Sequence, residues 1–533
     1  MKPTPFCLLF TLLAAPPVMA DMPSCGSGHV FDDANGNGAR DAGEDGIAGV
    51  KVSDGMRIVE TDSTGRYAGL GGDAARTVFL VKPAGYAPAS RADGLPDFWR
   101  NPPAGAGHSL RYGGMAASSC RDFALRRTPP RKAGIEVLVF ADPQPKSMVD
   151  VDYYRRDIVE PIAGTHGAQL GMSLGDIVND DLSLYPAMNR ITAGLGVPWL
   201  HLPGNHDLDF DASRDEDSLL SFRNLYGPDT FAWEEPELVF IGLDDVIHLP
   251  GQKPAYTGGL REDQFAFLEA YLRDAPRDRL LVVAAHIPFF DTSKVPGRPS
   301  FRVADRERLF ALLRDFPRVL LLTGHDHTQR HVRHGAVDGW HGAEPLHEYN
   351  VGAACGAFWS GVKDDAGIPD ATMSDGTPNG YATLHVQPGG AYALSWHPAR
   401  HRERADFTKA VALHAPAVLR QGAYPAWAVY ANVFMGQQDQ RVEYRIDGGA
   451  WKPMTKASRA DPRMLAENVA DDAVDALRGF DRSPEATPSL HLWRGTLPTD
   501  LAIGAHRIEV RAFDAWRGEQ RASTQYRLQA AAP

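Results

Sequence analysis

The hydrophobic rhythm of the chain changes twice along its length. In the first stretch, short runs alternate apolar and polar positions between turn residues: Val50-Lys51-Val52-Ser53, Ile58-Val59-Glu60-Thr61 and Thr77-Val78-Phe79-Leu80-Val81. That period of two predicts half-buried strands, and an all-β module is expected over 21–128. Thr128-Pro129-Pro130-Arg131-Lys132 reads as a linker. From Ile135 the rhythm becomes continuous apolar runs of strand length: Ile135–Phe140, Gln169–Leu174, Pro198–Leu202, Leu238–Leu243, Leu280–Ala284 and Val319–Leu322. Between them, Leu260–Arg273 and Ala304–Phe316 space their apolar residues by three and four, as amphipathic helices do. Strands buried on both faces and interleaved with helices predict α/β layering over 131–346. Residues 347–398 are expected to complete that layered core. Alternation returns over 400–530. There Val442–Ile446 with Asp447-Gly448-Gly449 signals a hairpin, and Gly504–Ala512 alternates cleanly, so a second β-sandwich module is expected.

Composition narrows this picture. With 43% hydrophobic and 23% charged residues over 533 positions, the chain buries a sizeable core in more than one domain. A net charge of −12 repels the phosphate backbone, so duplex nucleic acid is not an expected partner, whereas a local cationic site still admits a small phosphorylated molecule. Residues 1–20 read as a signal peptide: Lys2 is followed by an apolar Pro5–Ala15 too short to span a membrane, then by Val18-Met19-Ala20. Met22-Pro23-Ser24 before Cys25 is the wrong chemistry for lipoprotein cleavage. No later run reaches transmembrane length, so a periplasmic or secreted location is expected. Cys25 and Cys120 bracket the first module, and an oxidising compartment would let them pair; Cys355 is then an odd, buried thiol. Nothing in the sequence specifies an oligomeric state.

The chemistry lies at the carboxyl ends of the middle strands. Asp142 and Gln144 follow the first, Asp176 the second, Asn205-His206-Asp207 the third; His286 follows Leu280–Ala285, and His325 and His327 follow Val319–Leu322. In a layered α/β fold these ends share one edge, so the side chains can converge. Carboxylates, amides and imidazoles together suit divalent first-row metals, here Mn, Zn or Fe, rather than a calcium cage or a thiolate site. Without a cation, such a cluster of carboxylates would repel and desolvate badly.

Taken in order, Asp142-x-Gln144, Gly175-Asp176, Gly204-Asn205-His206-Asp207, His286 and Gly324-His325-Asp326-His327 resemble the motifs of the calcineurin-like metallophosphoesterases. The resemblance implies a four-layer αββα sandwich and two divalent metal ions. It places Asp142, Gln144, Asp176 and His327 at one ion, and Asp176, Asn205, His286 and His325 at the other. It also implies that His206 contacts the phosphoryl group and protonates the leaving oxygen, in the hydrolysis of a phosphomonoester or phosphodiester by activated water. Two positions depart from the family pattern. Gln144 stands where His is usual, which leaves the identity of the first metal open. Asn179 stands where an Asp often orients the catalytic histidine, with Asp180 next to it, and either residue can hold His206. His347–Gly352 and Met373–Tyr381 resemble the C-terminal region of an exported bacterial subgroup. The Asp375–Tyr381 loop reads either as part of the active-site mouth or as a plain turn.

Two further features remain. Asp33, Asn35, Asn37, Asp41 and Glu44, with Gly38 at the sixth position, have the spacing of a calcium loop, which competes with an Asn/Gly/Asp-rich turn without metal. Phe289, Phe290, Trp340, Phe358 and Trp359 flank the ligand segments as pocket or as core. A different class of function also stands: a cell-surface or glycan-binding β-module protein with an inactive phosphoesterase core. Intact ligand positions favour the enzyme.

Overall fold

Runs that are apolar on both faces need cover on both sides, and this chain supplies it by stacking two sheets. The computed structural model describes residues 25–70, 76–101, 110–116, 120–399, 402–479 and 481–531; the signal peptide expected over 1–20 lies outside them. The strands of the two large sheets are β1 (Ile135–Phe140), β2 (Leu170–Leu174), β3 (Trp199–Leu202), β4 (Phe231–Glu234), β5 (Leu238–Gly242), β6 (Leu280–Ala284), β7 (Val319–Thr323), β8 (Arg330–His334), β9 (Leu346–Asn350), β10 (Gly380–Val386) and β11 (Tyr392–Pro398). One sheet has the order β3-β2-β1-β10-β11, the other β4-β5-β6-β7-β9-β8. Their central strands run parallel: β1, β2 and β3 in the first, β5, β6, β7 and β9 in the second. The parallel core places the ends of β1, β2, β3, β6 and β7 where connecting loops can meet.

Burial follows the sequence pattern. β2, β3, β5 and β6 are buried at every position, as both-face cover requires, whereas β10 alternates buried and half-buried along its length. The sheets face each other closely at Gly242, where a Cβ would lie 2.6 Å from Leu202 Cδ2. The fold is the αββα sandwich that the motifs imply, with β-rich regions on either side.

The helices of the layered core are α1 (Met148–Tyr154), α2 (Tyr185–Ala193), α3 (Leu220–Tyr226), α4 (Glu262–Arg273) and α5 (Val303–Leu313), and the C-terminal module adds one over Pro462–Asp472. The helix predicted over Leu260–Arg273 starts at Glu262 because Arg261 is extended and caps it, its N–H donating to Gln264 Oε1 at 2.9 Å. The predicted Ala304–Phe316 helix ends at Leu313, and Phe316 closes a turn onto the Leu313 carbonyl. The first three helices are short and carry no long apolar stripe, which is why periodicity did not flag them.

The N-terminal region folds as two four-stranded sheets. Cys25 and Cys120 pair as a disulfide, and Cys355 is a buried free thiol, as expected. This region is anchored to the core by Lys82. Its ammonium, 2% exposed, meets Glu235 Oε1 at 2.6 Å and donates to the Glu234 carbonyl. Arg131 in the linker pairs with Glu235 and Glu237, so the linker is pinned rather than free. The C-terminal sheets enclose their own core around Val429, Trp493, Ile508 and Val510. The predicted hairpin turns through Asp447 and Gly448, both left-handed at φ 49° and 72°, which the tight turn demands.

Candidate metal centre

Five of the seven expected ligands adopt a backbone conformation that L-residues avoid. Asp142, Gln144, Asp176, His325 and His327 have φ of 47°, 40°, 48°, 72° and 48°. Each such residue costs roughly 1–2 kcal/mol, so their concentration at one sheet edge marks a site that the surrounding fold holds in place. The motif glycines are needed for a different reason, which is room. A Cβ on Gly204 would lie 2.3 Å from Asp176 Oδ1, one on Gly175 2.5 Å from His286 Nδ1, and one on Gly324 2.7 Å from Asp142 Oδ2. Backbone bonds then tie the loops together: Gln144 N–H to the Asp176 carbonyl, Asp180 N–H to the His206 carbonyl, and Gly324 N–H to the His286 carbonyl.

The side chains form one connected cluster. His286 Nε2 lies 3.1 Å from Asn205 Oδ1, 3.3 Å from Asp176 Oδ2 and 3.2 Å from His325 Nδ1. Gln144 Nε2 is 3.1 Å from Asp176 Oδ2, and His327 Nε2 is 3.5 Å from Asp142 Oδ1. The His325 N–H donates to Asp142, closing the circuit. Two imidazoles are oriented from behind by backbone carbonyls: His286 Nδ1 faces the Leu174 oxygen and His327 Nδ1 the Gly356 oxygen, each at 2.8 Å. Those bonds occupy the Nδ1 protons and turn the Nε2 lone pairs inward, as metal-ligating histidines are turned.

Electrostatics confirm that this edge wants positive charge. Burial disfavours a charged His286, but the carboxylates of Asp176 and Asp142 outweigh it and raise its pKa to about 10. The same exchange, with His286 and His206 as partners, holds Asp176 below the ordinary carboxylate range despite its burial. His325, buried beside His286, is pushed down to about 4. Ligand atoms of Asp176, His286 and His325 lie within 4.8 Å of one another, in the only such group of three His, Cys, Asp or Glu among the described residues. Carboxylate, amide and imidazole atoms meet there at 3.1–3.5 Å, a donor set that suits divalent cations. The residues fit the metal.

Beside this cluster, His206 keeps 29% of its side chain exposed. Its Nδ1 lies 2.7 Å from Asp180 Oδ1, and its backbone N–H donates to Asp176 Oδ1 at 2.8 Å. The structure therefore places Asp180, not Asn179, against the histidine; Asn179 uses its N–H on the Pro145 carbonyl.

Three family descriptions match the chain in succession: the N-terminal part of calcineurin-like phosphoesterase over 34–111, the calcineurin-like phosphoesterase itself over 135–329, and the C-terminal part over 348–519. The chain belongs to the calcineurin-like phosphoesterases. No curated relative matches it. Among solved structures it is similar to the purple acid phosphatase PPD1 from yellow lupin (Lupinus luteus) seeds, at 13% identity and a TM-score of 0.38, covering 68% of this chain and 66% of that one, just under two thirds of the lupin protein. It is also similar to GAP50, the anchor in the inner membrane complex of Plasmodium (12% identity, TM-score 0.30, 50% and 85% covered). A third is the phosphopantetheinyl hydrolase of Mycobacterium tuberculosis (13% identity, TM-score 0.27, 42% and 91% covered).

Several contacts in this calcineurin-like phosphoesterase escaped sequence reasoning. Asp245 receives the backbone N–H groups of His286 and Ile287 at 3.1 Å, and burial pushes its carboxyl up to about 8. It follows β5 as the recognised ligands follow their strands, so position was the signal. Asp207 gathers the N–H groups of Gly204 and Ile177 and the Tyr185 hydroxyl, shaping the Asn205-His206 turn. Cys355 Sγ lies 3.8 Å from both Gln144 Oε1 and His327 Nδ1. Tyr112, from the N-terminal region, donates its hydroxyl to the Asp180 carbonyl at 3.1 Å, and nothing local announces that contact.

Of the flanking aromatics, Phe289, Trp340 and Trp359 are core, and Phe290 is buried beneath Arg330. Phe358 alone is open, its ring tilted against that of His327 with centres 4.6 Å apart. The Asp375–Tyr381 loop does not open to solvent at Asp375: that carboxylate is buried, paired with His491 at 3.0 Å and accepting the Gln329 N–H. It joins the core to the C-terminal module. In the loop from Asp33 to Glu44, Asp33 accepts N–H groups from Gly36, Asn37 and Gly38, Asn35 and Asn37 both reach Asp41 Oδ2 at 2.7 Å, and Glu44 accepts from Ala34 and Asp41.

Proposed function

We propose that this phosphoesterase is exported and hydrolyses a small phosphomonoester or phosphodiester, with Asp142, Gln144, Asp176 and His327 holding one divalent ion and Asp176, Asn205, His286 and His325 the other. The observation that carries the reading is the convergence of these seven side chains, five of them on left-handed backbone, with a half-open histidine beside them. Bound there, two divalent ions supply Lewis-acid charge and an acidified water. The chain's own residues do the rest. Asp176 lies between the two ligand sets, its Oδ2 near both Gln144 and His286. His206, turned by Asp180, offers its other nitrogen to the leaving oxygen as general acid. Coulombic attraction to Asp176 and Asp180 raises the His206 pKa against the effect of burial, keeping a proton available. The acidic surface favours small substrates over polyanions, and the disulfide accords with an oxidising compartment outside the cytoplasm. The Asp33–Glu44 loop is assigned a structural calcium ion.

The test is hydrolysis of p-nitrophenyl phosphate and its bis ester with and without Mn or Zn. Metal-dependent turnover, abolished in Asp176→Ala and His206→Ala proteins that still fold, is expected. Unchanged turnover in those variants rejects the assignment, and no turnover with any metal favours a binding protein with an inert core.

A further inference from the structure

Phe358 is doubly out of place. It is a bulky residue on left-handed backbone, at φ 55°, and it leaves 42% of its side chain in solvent while every other residue from 351 to 360 is buried. Trp359 follows at φ 56° and is fully buried. Three successive carbonyls of the first ligand loop hold this turn. Ala141 accepts the Ala354 N–H at 2.7 Å, Asp142 the Cys355 N–H at 3.1 Å, and Pro143 the Trp359 indole N–H at 2.8 Å. A strained turn is thus fixed to the metal-binding loop, and its one outward side chain is a phenyl ring. Backbone strain that the surrounding fold enforces is concentrated at functional sites.

The ring lies against the metal centre. It is tilted 31° from the His327 imidazole with centres 4.6 Å apart, and His327 keeps 13% of its side chain exposed, so the centre reaches solvent beside Phe358. Lys146, two residues past Gln144, sets its ammonium 5.3 Å from the Phe358 ring centre and has no carboxylate within 4 Å among the described residues. Met148 and Val149, next along the same loop, are exposed as well. This edge is therefore apolar and aromatic, with one cation that no acid neutralises. An aliphatic group would gain only contact area there. An aromatic ring gains in addition offset stacking on Phe358 and attraction between its electron-rich face and the ammonium. With the platform so close to a ligand imidazole, that ring is one joined directly through the ester oxygen; a base carried on a sugar would extend past it.

We propose, on the basis of the phosphoesterase reading, that Phe358 is a specificity-determining residue and that it selects aryl phosphate esters. The phosphate occupies the metal centre while the aryl ring stacks on the open part of Phe358.

The probes are phenylphosphonate and cyclohexylphosphonate, titrated calorimetrically into the zinc-loaded protein. They match in charge and size and differ in the π-face. Phenylphosphonate should bind about fivefold more tightly, the scale of one aromatic pair. Phe358→Leu should bring that ratio to about one, and Phe358→Tyr should preserve it. A loss of metal would weaken both ligands alike and leave the ratio unchanged, so the ratio reports the ring contact alone. The proposal is overturned if the parent binds the two equally, if Phe358→Leu keeps the preference, or if Phe358→Tyr loses it. Failure of the phosphoesterase reading is distinguishable: neither phosphonate would then bind, and both conclusions would fall together.

Discussion

The metal centre and the Asp33–Glu44 loop both collect oxygen-bearing side chains, and they do so in opposite ways. The loop assembles five side chains from twelve consecutive residues, and they satisfy one another: amide to carboxylate, carboxylate to backbone N–H. The centre draws seven from loops after five strands, spread over nearly two hundred residues, and packs carboxylate, amide and imidazole atoms within 3.1–3.3 Å of one another in a buried place. A local loop can relax around a missing cation because its donors and acceptors already match. The centre has no such recourse, since its ligands are fixed by sheet register, left-handed backbone and glycines packed against carboxylates.

The sharpest way to break this comparison is to remove one carboxylate from each. Asp176→Ala should lower turnover by at least about 10³-fold, as loss of charge stabilisation in a preorganised site does, and release transition metal measurable by elemental analysis. Asp33→Ala should leave both quantities within twofold. Next in size, His206→Ala should cut kcat by about 10²- to 10³-fold while metal content is retained, which separates proton transfer from metal binding. Smaller again, Asp180→Ala should cost about 10- to 100-fold in kcat, the usual range for a residue that orients another, whereas Asn179→Ala should cost about twofold or less. An equal loss in both would mean that the contact at 2.7 Å does not govern the histidine. Weakest of all, adding a calcium chelator, or making Asp33→Ala, should lower the melting temperature by only a few degrees, because losing the N–H groups gathered on Asp33 costs about 1–3 kcal/mol. A collapse of activity along with that shift would join two regions that the structure keeps apart.

Most of the layered core was legible from pattern. β1 and β6 fall on the residues predicted for them, because a run that is apolar on both faces and bounded by polar ligands has few other places to go. The short helices α1, α2 and α3 were not legible, since seven to nine residues hold too few turns for a stripe to stand out. The seven ligand candidates were visible because each follows its strand directly. Asp245 follows β5 in the same way, yet it turned out to hold the His286 backbone instead of facing the cluster. The choice between Asn179 and Asp180 was undecidable from spacing: Asp180 is left-handed, at φ 66°, and that single rotation aims its side chain at His206.

The amino-acid sequence by itself determined the class of chemistry, since carboxylate, amide and imidazole at strand ends suit one kind of cation wherever the chain places them. It also determined the local elements, because periodicity and turn residues act over a few positions. Only the tertiary structure decided what touches what across long separations: Tyr112 on the Asp180 carbonyl, and Cys355 beside Gln144 and His327. The reason is physical. Those contacts depend on the order of strands in two sheets and on how the flanking modules dock, and neither is written into any short stretch of residues.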